Sequence, residues 1–172
     1  SVHVFEMMDE ILPGNDRELI AMLRKDLEKK GVTFHLNTTV KKVDNHNLLF
    51  EKNGKDGRIE SEMLLVCVGR TPNIKDIGLE NIGVEYKANG IKIDSQCRTN
   101  LPNVYAAGDV TGFSLLAHTA SREGEVAVNT MLGKKDTIRY HAIPAVIYTN
   151  PELSGVGLTE EAARAKGIEY DI

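Results

Sequence analysis

Cysteine is scarce in this chain: 172 residues contain two, Cys67 and Cys97, thirty positions apart. Without a Cys-x-x-Cys pattern or clustered histidines they support neither a disulfide framework nor a metal site. Cys67, inside the run MLLVCVG, reads as a small core residue rather than a nucleophile. No apolar stretch approaches the roughly 20 residues needed to cross a bilayer. The opening SVHVFEMMDE has neither the basic flank nor the apolar length of a signal peptide. A membrane partner is therefore not expected, and the expected compartment is the cytoplasm or an equivalent reducing space. Basic residues are dispersed and the net charge is −4, which argues against nucleic acid. Internal repeats, low-complexity tracts and a G-x-G-x-x-G loop are also missing.

What is present is the pattern of an ordinary globular α/β chain, 41% hydrophobic and 27% charged. SVHVFE reads as a strand that begins abruptly and ends in the acidic Glu6. Asn15 and Glu18 form a candidate capping box for a helix carrying Leu19, Ile20, Leu23 and Leu27 at helical spacing and stopping at Gly31. VTFHL, TTVKKV, NLLFEK and GRIES read as a small antiparallel meander, and MLLVCVG as a parallel strand buried on both faces. After the break at GRTPN come a short hairpin around Asn89 and Gly90 and a brief strand over 103–107. A helix then runs from about Leu115 to Leu132, with an inner stripe of Ala117, Ala120, Gly124, Ala127 or Val128, and Met131. AVIYTN and TEEAARAKG close the chain as a strand and a short helix. Val146, Ile147 and Tyr148 are expected to expose apolar surface. Pieces of several α/β units in this order suggest an internal segment of a longer protein.

The stretch NVYAAGDVTG carries the sharpest chemical signal. Ala106, Ala107 and Gly108 clear the side chains from a strand end, and Asp109 stands where the chain turns. Gly-Asp after a strand is most often a simple turn, since Asp bonds to its own backbone. At the carboxyl edge of an α/β sheet, however, the same arrangement permits close backbone approach and supplies an acceptor for ligand hydroxyls. The helix starting near Leu115 would aim its N–H groups and positive dipole end at the same place.

TNLPNVYAAGD resembles the second flavin-binding motif of the pyridine nucleotide–disulfide oxidoreductases. LLAHTASREG resembles the flavin-ring helix of dihydrolipoyl dehydrogenases in particular, and CVGRTPN, PAVIYTNPELSGVGLTEE and VFEMMDEILPG have close counterparts there. The resemblance runs through essentially the whole chain, in order. It implies parts of Rossmann-like NAD- and FAD-binding domains and the start of an α+β dimerisation domain. The expected divisions are 1–72 for the later NAD domain, 73–138 for the returning FAD domain, and 139–172 for the interface domain.

By the same resemblance, Glu6 would accept from the adenosine ribose of NAD and repel a 2′-phosphate, consistent with the rule for an acid ending the second strand of such a fold. Val40 would flank the adenine and Gly69 would admit the nicotinamide half. Asp109 would hold the ribityl chain of FAD, and Leu115, Leu116, Ala117 and His118 would line the flavin. His118 is given a binding role only. The implied partners are a second copy of the parent chain and lipoyl-bearing proteins of 2-oxo acid dehydrogenase or glycine cleavage complexes. A complete member also carries a redox-active cysteine pair, glycine-rich phosphate loops and a His-Glu pair near its C-terminus; none is in this sequence. No catalytic residue is therefore assigned here. The rival readings are a sister flavoprotein disulfide reductase and a nucleotide-binding module without catalysis.

Overall fold

A computed structural model describes all residues from Ser1 to Ile172. They form two compact units, one of residues 1–67 and 146–172, the other of residues 68–145.

The first unit opens with strand β1 (Val2–Phe5), helix α1 (Arg17–Lys29) and strand β2 (Val32–His35). α1 is capped by Asp16, whose carboxylate accepts from the Glu18 N–H at 3.0 Å, and not by Asn15 as the sequence suggested. Asn15 is instead drawn into the preceding turn, where its side-chain amide donates to the Leu12 carbonyl at 3.0 Å. Ile20 and Leu23 on the inner face of α1 join Ile11 and Leu153 in a core that Leu27, Phe34 and Ile147 extend. Gly31 at φ 90°, a left-handed value that glycine accepts without strain, lets the chain reverse into β2. β1 and β2 pair in parallel, with Val2 opposite Val32 and Phe5 opposite His35.

The expected four-segment meander is therefore a three-stranded one. β3 (Thr38–Asp44), β4 (Asn47–Lys52) and β5 (Lys55–Glu60) pair antiparallel, while VTFH belongs to β1. The reason lies in the connection: α1 carries the chain back to start β2 alongside β1, as a crossover between parallel strands requires. Asn53 and Gly54, both at positive φ, make the tight turn between β4 and β5. Gly57 on β5 lies directly under the Phe50 ring.

MLLVCVG forms no strand. Met63, Leu65, Val66 and Val68 are 88%, 85%, 68% and 92% exposed, and Cys67 is exposed as well. A strand apolar on both faces needs a paired neighbour and cover above and below. β1 pairs in parallel with β2 alone, and residues 61–73 join no sheet. At the chain's end, β8 (Ala145–Ile147) pairs with β9 (Leu153–Gly155), and α4 (Glu160–Ala165) follows, capped by Thr159. Val146 and Ile147 are half-buried, contrary to the expectation, because Ile147 packs on the α1 core; Tyr148 alone is 84% exposed.

The second unit holds the short helix α2 (Leu79–Ile82), the hairpin of β6 (Tyr86–Lys87) and β7 (Gly90–Ile91), a 3-10 turn over Asp109–Thr111, and the long helix α3 (Ala117–Met131). Gly90 and Gly112 lie back to back: a Cβ on Gly90 would stand 2.5 Å from the Thr111 carbonyl oxygen, and one on Gly112 would overlap the Asn89 carbonyl. Segment 103–107 is no strand; it makes one antiparallel bridge, Tyr105 to Arg98, backed by the Ala106 N–H donating to the Cys97 carbonyl at 3.1 Å. Its neighbours are turns held by Asp94 and Thr99, which leave no straight partner to extend the ladder. α3 also buries a different stripe from the one expected: Thr119, Glu123, Val126, Ala127 and Thr130 face inward, while Val128 and Met131 are more than half exposed. The small-residue pattern was shadowed by polar side chains, of which Thr119 and Glu123 find partners inside.

The exposed run 63–68 combines β-propensity with unpaired backbone, so the 172-residue chain is expected to self-associate through it. Replacing Leu65 and Val66 together by lysine should lower its light scattering. Scattering equal to that of the parent chain would place the sticky surface elsewhere.

Candidate functional site

Asp109 begins the 3-10 turn that follows Gly108 and keeps a half-exposed side chain. Gly108 has φ 85° and ψ −161°, a conformation essentially reserved for glycine, so the bend that presents Asp109 depends on that residue. The Asp109 carboxylate meets the Arg70 guanidinium at 3.2 Å. Another nitrogen of the same guanidinium donates to the Leu115 carbonyl at 2.7 Å. One arginine thus links the turn to the residues entering α3. Leu116 occupies the N-cap position and no side chain caps the helix, which leaves the first N–H groups of a 15-residue helix open.

The expected flavin-side residues therefore gather around one corner: Asp109, Leu115, Leu116 and Ala117. His118, on the first turn of α3, faces a cleft of about 820 Å³ that Arg122, Lys135, Asp136 and Pro144 also line. Its Nε2 donates to the Pro144 carbonyl at 2.8 Å, which fixes the tautomer and gives the ring a tethering role in this structure. Gly69, next to Arg70, has φ 106° and open space where a Cβ would stand, so the backbone there is accessible.

Of the residues assigned to the NAD side, Glu6 and Val40 lie in the first unit and Gly69 in the second. Glu6 follows β1 and is half-buried; its Oε1 accepts from the Met8 N–H at 2.8 Å. Its backbone carbonyl accepts from the Thr38 N–H at 2.9 Å, which brings the start of β3 beside it. Val40, two residues along β3, is 43% exposed, opposite Phe50 and next to the register shift at Lys41.

Two residues escaped the sequence reading. Arg70 was in view within CVGRTPN, but nothing local signals that its side chain reaches residues 109 and 115. Glu123 has no exposed surface; its Oε2 accepts from the Gly108 N–H and its Oε1 from the Tyr140 hydroxyl at 2.7 Å. Burial, and then the bond to Glu123, push the Tyr140 phenol well above its usual range. A glutamate in the middle of a helix's small-residue face was the available signal. Cys97, also fully buried, has its thiol pushed up to about 11 by burial and then by the nearby Glu123, the condition of an inert structural cysteine.

Residues 1–124 match the model of the pyridine nucleotide-disulphide oxidoreductase family, and residues 143–172 match the dimerisation domain of the same family. The chain belongs to this family. A dihydrolipoyl dehydrogenase from Bacillus subtilis is 41% identical over 96% of the chain, and the human mitochondrial dihydrolipoyl dehydrogenase 40% identical over 92%. The chain spans only 37% and 33% of those two proteins. Among solved structures, LpdA from Mycobacterium tuberculosis superposes with a TM-score of 0.85 at 28% identity, covering 96% of this chain and 37% of its own. The Cu(II) complex of the flavoprotein disulfide reductase RclA from Escherichia coli gives 0.82 at 25%, covering 99% and 40%. The α/β architecture read from the sequence is thus that of the pyridine nucleotide-disulphide oxidoreductases.

Beside the cleft, Arg122 and Asn129 of α3 clamp Asp136, with Arg122 Nη1 at 2.9 Å and Asn129 Nδ2 at 2.8 Å from Oδ2. The Arg122 hydrogen bond, then that of Asn129, holds the Asp136 carboxyl down at about 2, against 3.8 for a free aspartate. A group whose pKa is depressed on folding contributes stability above its unfolded value and loses that contribution as pH falls through the folded one. Asp136→Asn should therefore flatten the loss of stability between about pH 4 and pH 2. Carboxyl NMR titration of residue 136 with a midpoint near 4 would refute the clamp.

Proposed function

We propose that this chain is a segment of an FAD-dependent dihydrolipoyl dehydrogenase that oxidises protein-bound dihydrolipoamide, with NAD as the final acceptor. The dithiol would give up two electrons and two protons by way of an enzyme disulfide and FAD, of which NAD would take up a hydride and solvent the remaining proton. The observation that carries this reading is the corner at Asp109: a half-exposed carboxylate on a glycine bend, beside an uncapped helix start. The acceptor suits a polyol chain, and the open N–H groups suit the polar edge of a ring. FAD supplies the two-electron carrier in such a reaction. Asp109 would hold its ribityl hydroxyls, and the backbone of Leu115, Leu116 and Ala117, with His118, would line the ring. The fit covers that end of the cofactor only, because the sequence has no glycine-rich loop for the diphosphate.

On the nucleotide side, Glu6 ends its strand with one carboxylate oxygen bonded to the Met8 N–H and the other without a hydrogen-bond partner, which leaves an acceptor for a ribose hydroxyl. Val40 offers an exposed apolar face for an adenine, and Gly69 an unobstructed backbone for the nicotinamide half. The match to a dimerisation domain supports a homodimeric parent. Lipoyl-bearing proteins as partners and a cytoplasmic setting complete the reading. So do the divisions at about residues 72 and 138.

In the full-length protein, Asp109→Ala should fold but lose FAD on dilution, whereas Asp109→Asn, which keeps an acceptor, should lose less. Full flavin occupancy in both variants would return Asp109 to the role of a turn residue. Glu6→Ala should raise the KM for NAD and leave flavin content unchanged, with a cost of about 1.5–3 kcal/mol for one charge-assisted bond. Unchanged NAD kinetics would remove Glu6 from the nucleotide site.

A further inference from the structure

We propose that Glu123 is the positioning residue for Asp109, acting through the backbone of the bend that carries it; the proposal rests on the flavin reading above. The Glu123 side chain rises from the buried face of α3 with no exposed surface and grips the bend at its entrance. Oε2 accepts from the N–H of Gly108, the residue immediately before Asp109. Oε1 lies 3.3 Å from the Thr111 hydroxyl, two residues beyond Asp109. That hydroxyl stands nearer the Gly108 carbonyl, at 2.9 Å, so its single proton closes the 3-10 turn across Asp109. Tyr140 completes the set at 2.7 Å from Oε1 and shields it by stacking on Phe113 with ring centroids 4.5 Å apart.

The geometry assigns the two oxygens different work. The Oε2 bond fixes the peptide plane between Ala107 and Gly108, and with it the direction in which the Asp109 side chain leaves the turn. The Oε1 bond to Tyr140 ties the carboxyl to a segment thirty residues downstream of the bend. A glutamine at 123 can turn its amide oxygen to the Gly108 N–H and its NH2 to the Tyr140 oxygen, which then accepts. A leucine offers neither contact and leaves the Gly108 N–H without its acceptor. Asp109, meanwhile, sits half-exposed with only the Arg70 guanidinium beside it, so its aim depends on backbone held from below.

The test uses the full-length flavoprotein and three variants. Glu123→Leu is expected to raise the dissociation constant for FAD about tenfold, the effect of one lost hydrogen bond to a charged group. Tyr140→Phe removes the other close bond from the same carboxyl, at 2.7 Å, and should lower Tm similarly while leaving the FAD constant within about twofold. The double variant Glu123→Leu/Asp109→Asn should bind FAD no worse than Asp109→Asn alone, because both changes disable one device. If Glu123→Leu does not fold, Glu123→Asp, which keeps the charge but falls short of Gly108, should show the same selective loss. An FAD constant unchanged in the Glu123 variants, or raised equally by Tyr140→Phe, overturns the proposal and leaves Glu123 a core residue. So does full additivity with Asp109→Asn. If Asp109→Ala itself keeps its flavin, the flavin reading has failed, and the positioning role falls with it.

Discussion

A carboxyl group without any exposed surface holds the second unit together. Burying Glu123 is costly unless every lone pair facing a donor is used, and it is tolerated here because a backbone N–H and a phenol converge on it. Three segments distant in sequence, around residues 108, 123 and 140, are thereby fixed to one point. The apolar contacts of Cys97, Val126, Ala127 and Ile138 then close around that point. Hydrophobic burial supplies the attraction in this unit, while the polar contact decides which arrangement of small residues is adopted.

The bend that presents the Asp109 carboxylate was legible because it depends on local sequence: three small residues in a row, a carboxylate, and a helix start six to eight residues on. The partners that complete the corner were not legible, since Arg70 arrives from thirty-nine positions upstream and Glu123 from fourteen downstream. Period and propensity describe what a segment does to itself. They do not report which distant side chain will satisfy its backbone.

The same distinction explains the fold. α1, the β3–β5 strands and the β6–β7 hairpin followed from helical spacing, alternation and turn residues. MLLVCVG did not become a strand because its pattern states a demand for burial without saying where the cover comes from. The α1 cap moved from Asn15 to Asp16 because Asn15's amide had a nearer acceptor at Leu12. On α3, small residues suggested a bare surface, yet the buried stripe carries Thr119 and Glu123, which the 3.6-residue period cannot tell from an ordinary solvated face once their partners lie outside the helix.

Where Gly90 and Gly112 touch, two backbones meet without side chains between them. The β6–β7 hairpin is small, exposed along β6 and buried along β7, and its own pairing is only two residues long. Its tip nevertheless abuts the end of the turn that begins at Asp109, so the hairpin works as a wedge under the candidate site. A loop usually drifts freely in length and composition at the surface. This one cannot, because lengthening the Ala88–Asn89 connection would push against the carboxylate corner from outside. Variation among chains built on this plan should therefore be suppressed at a surface hairpin that touches no ligand.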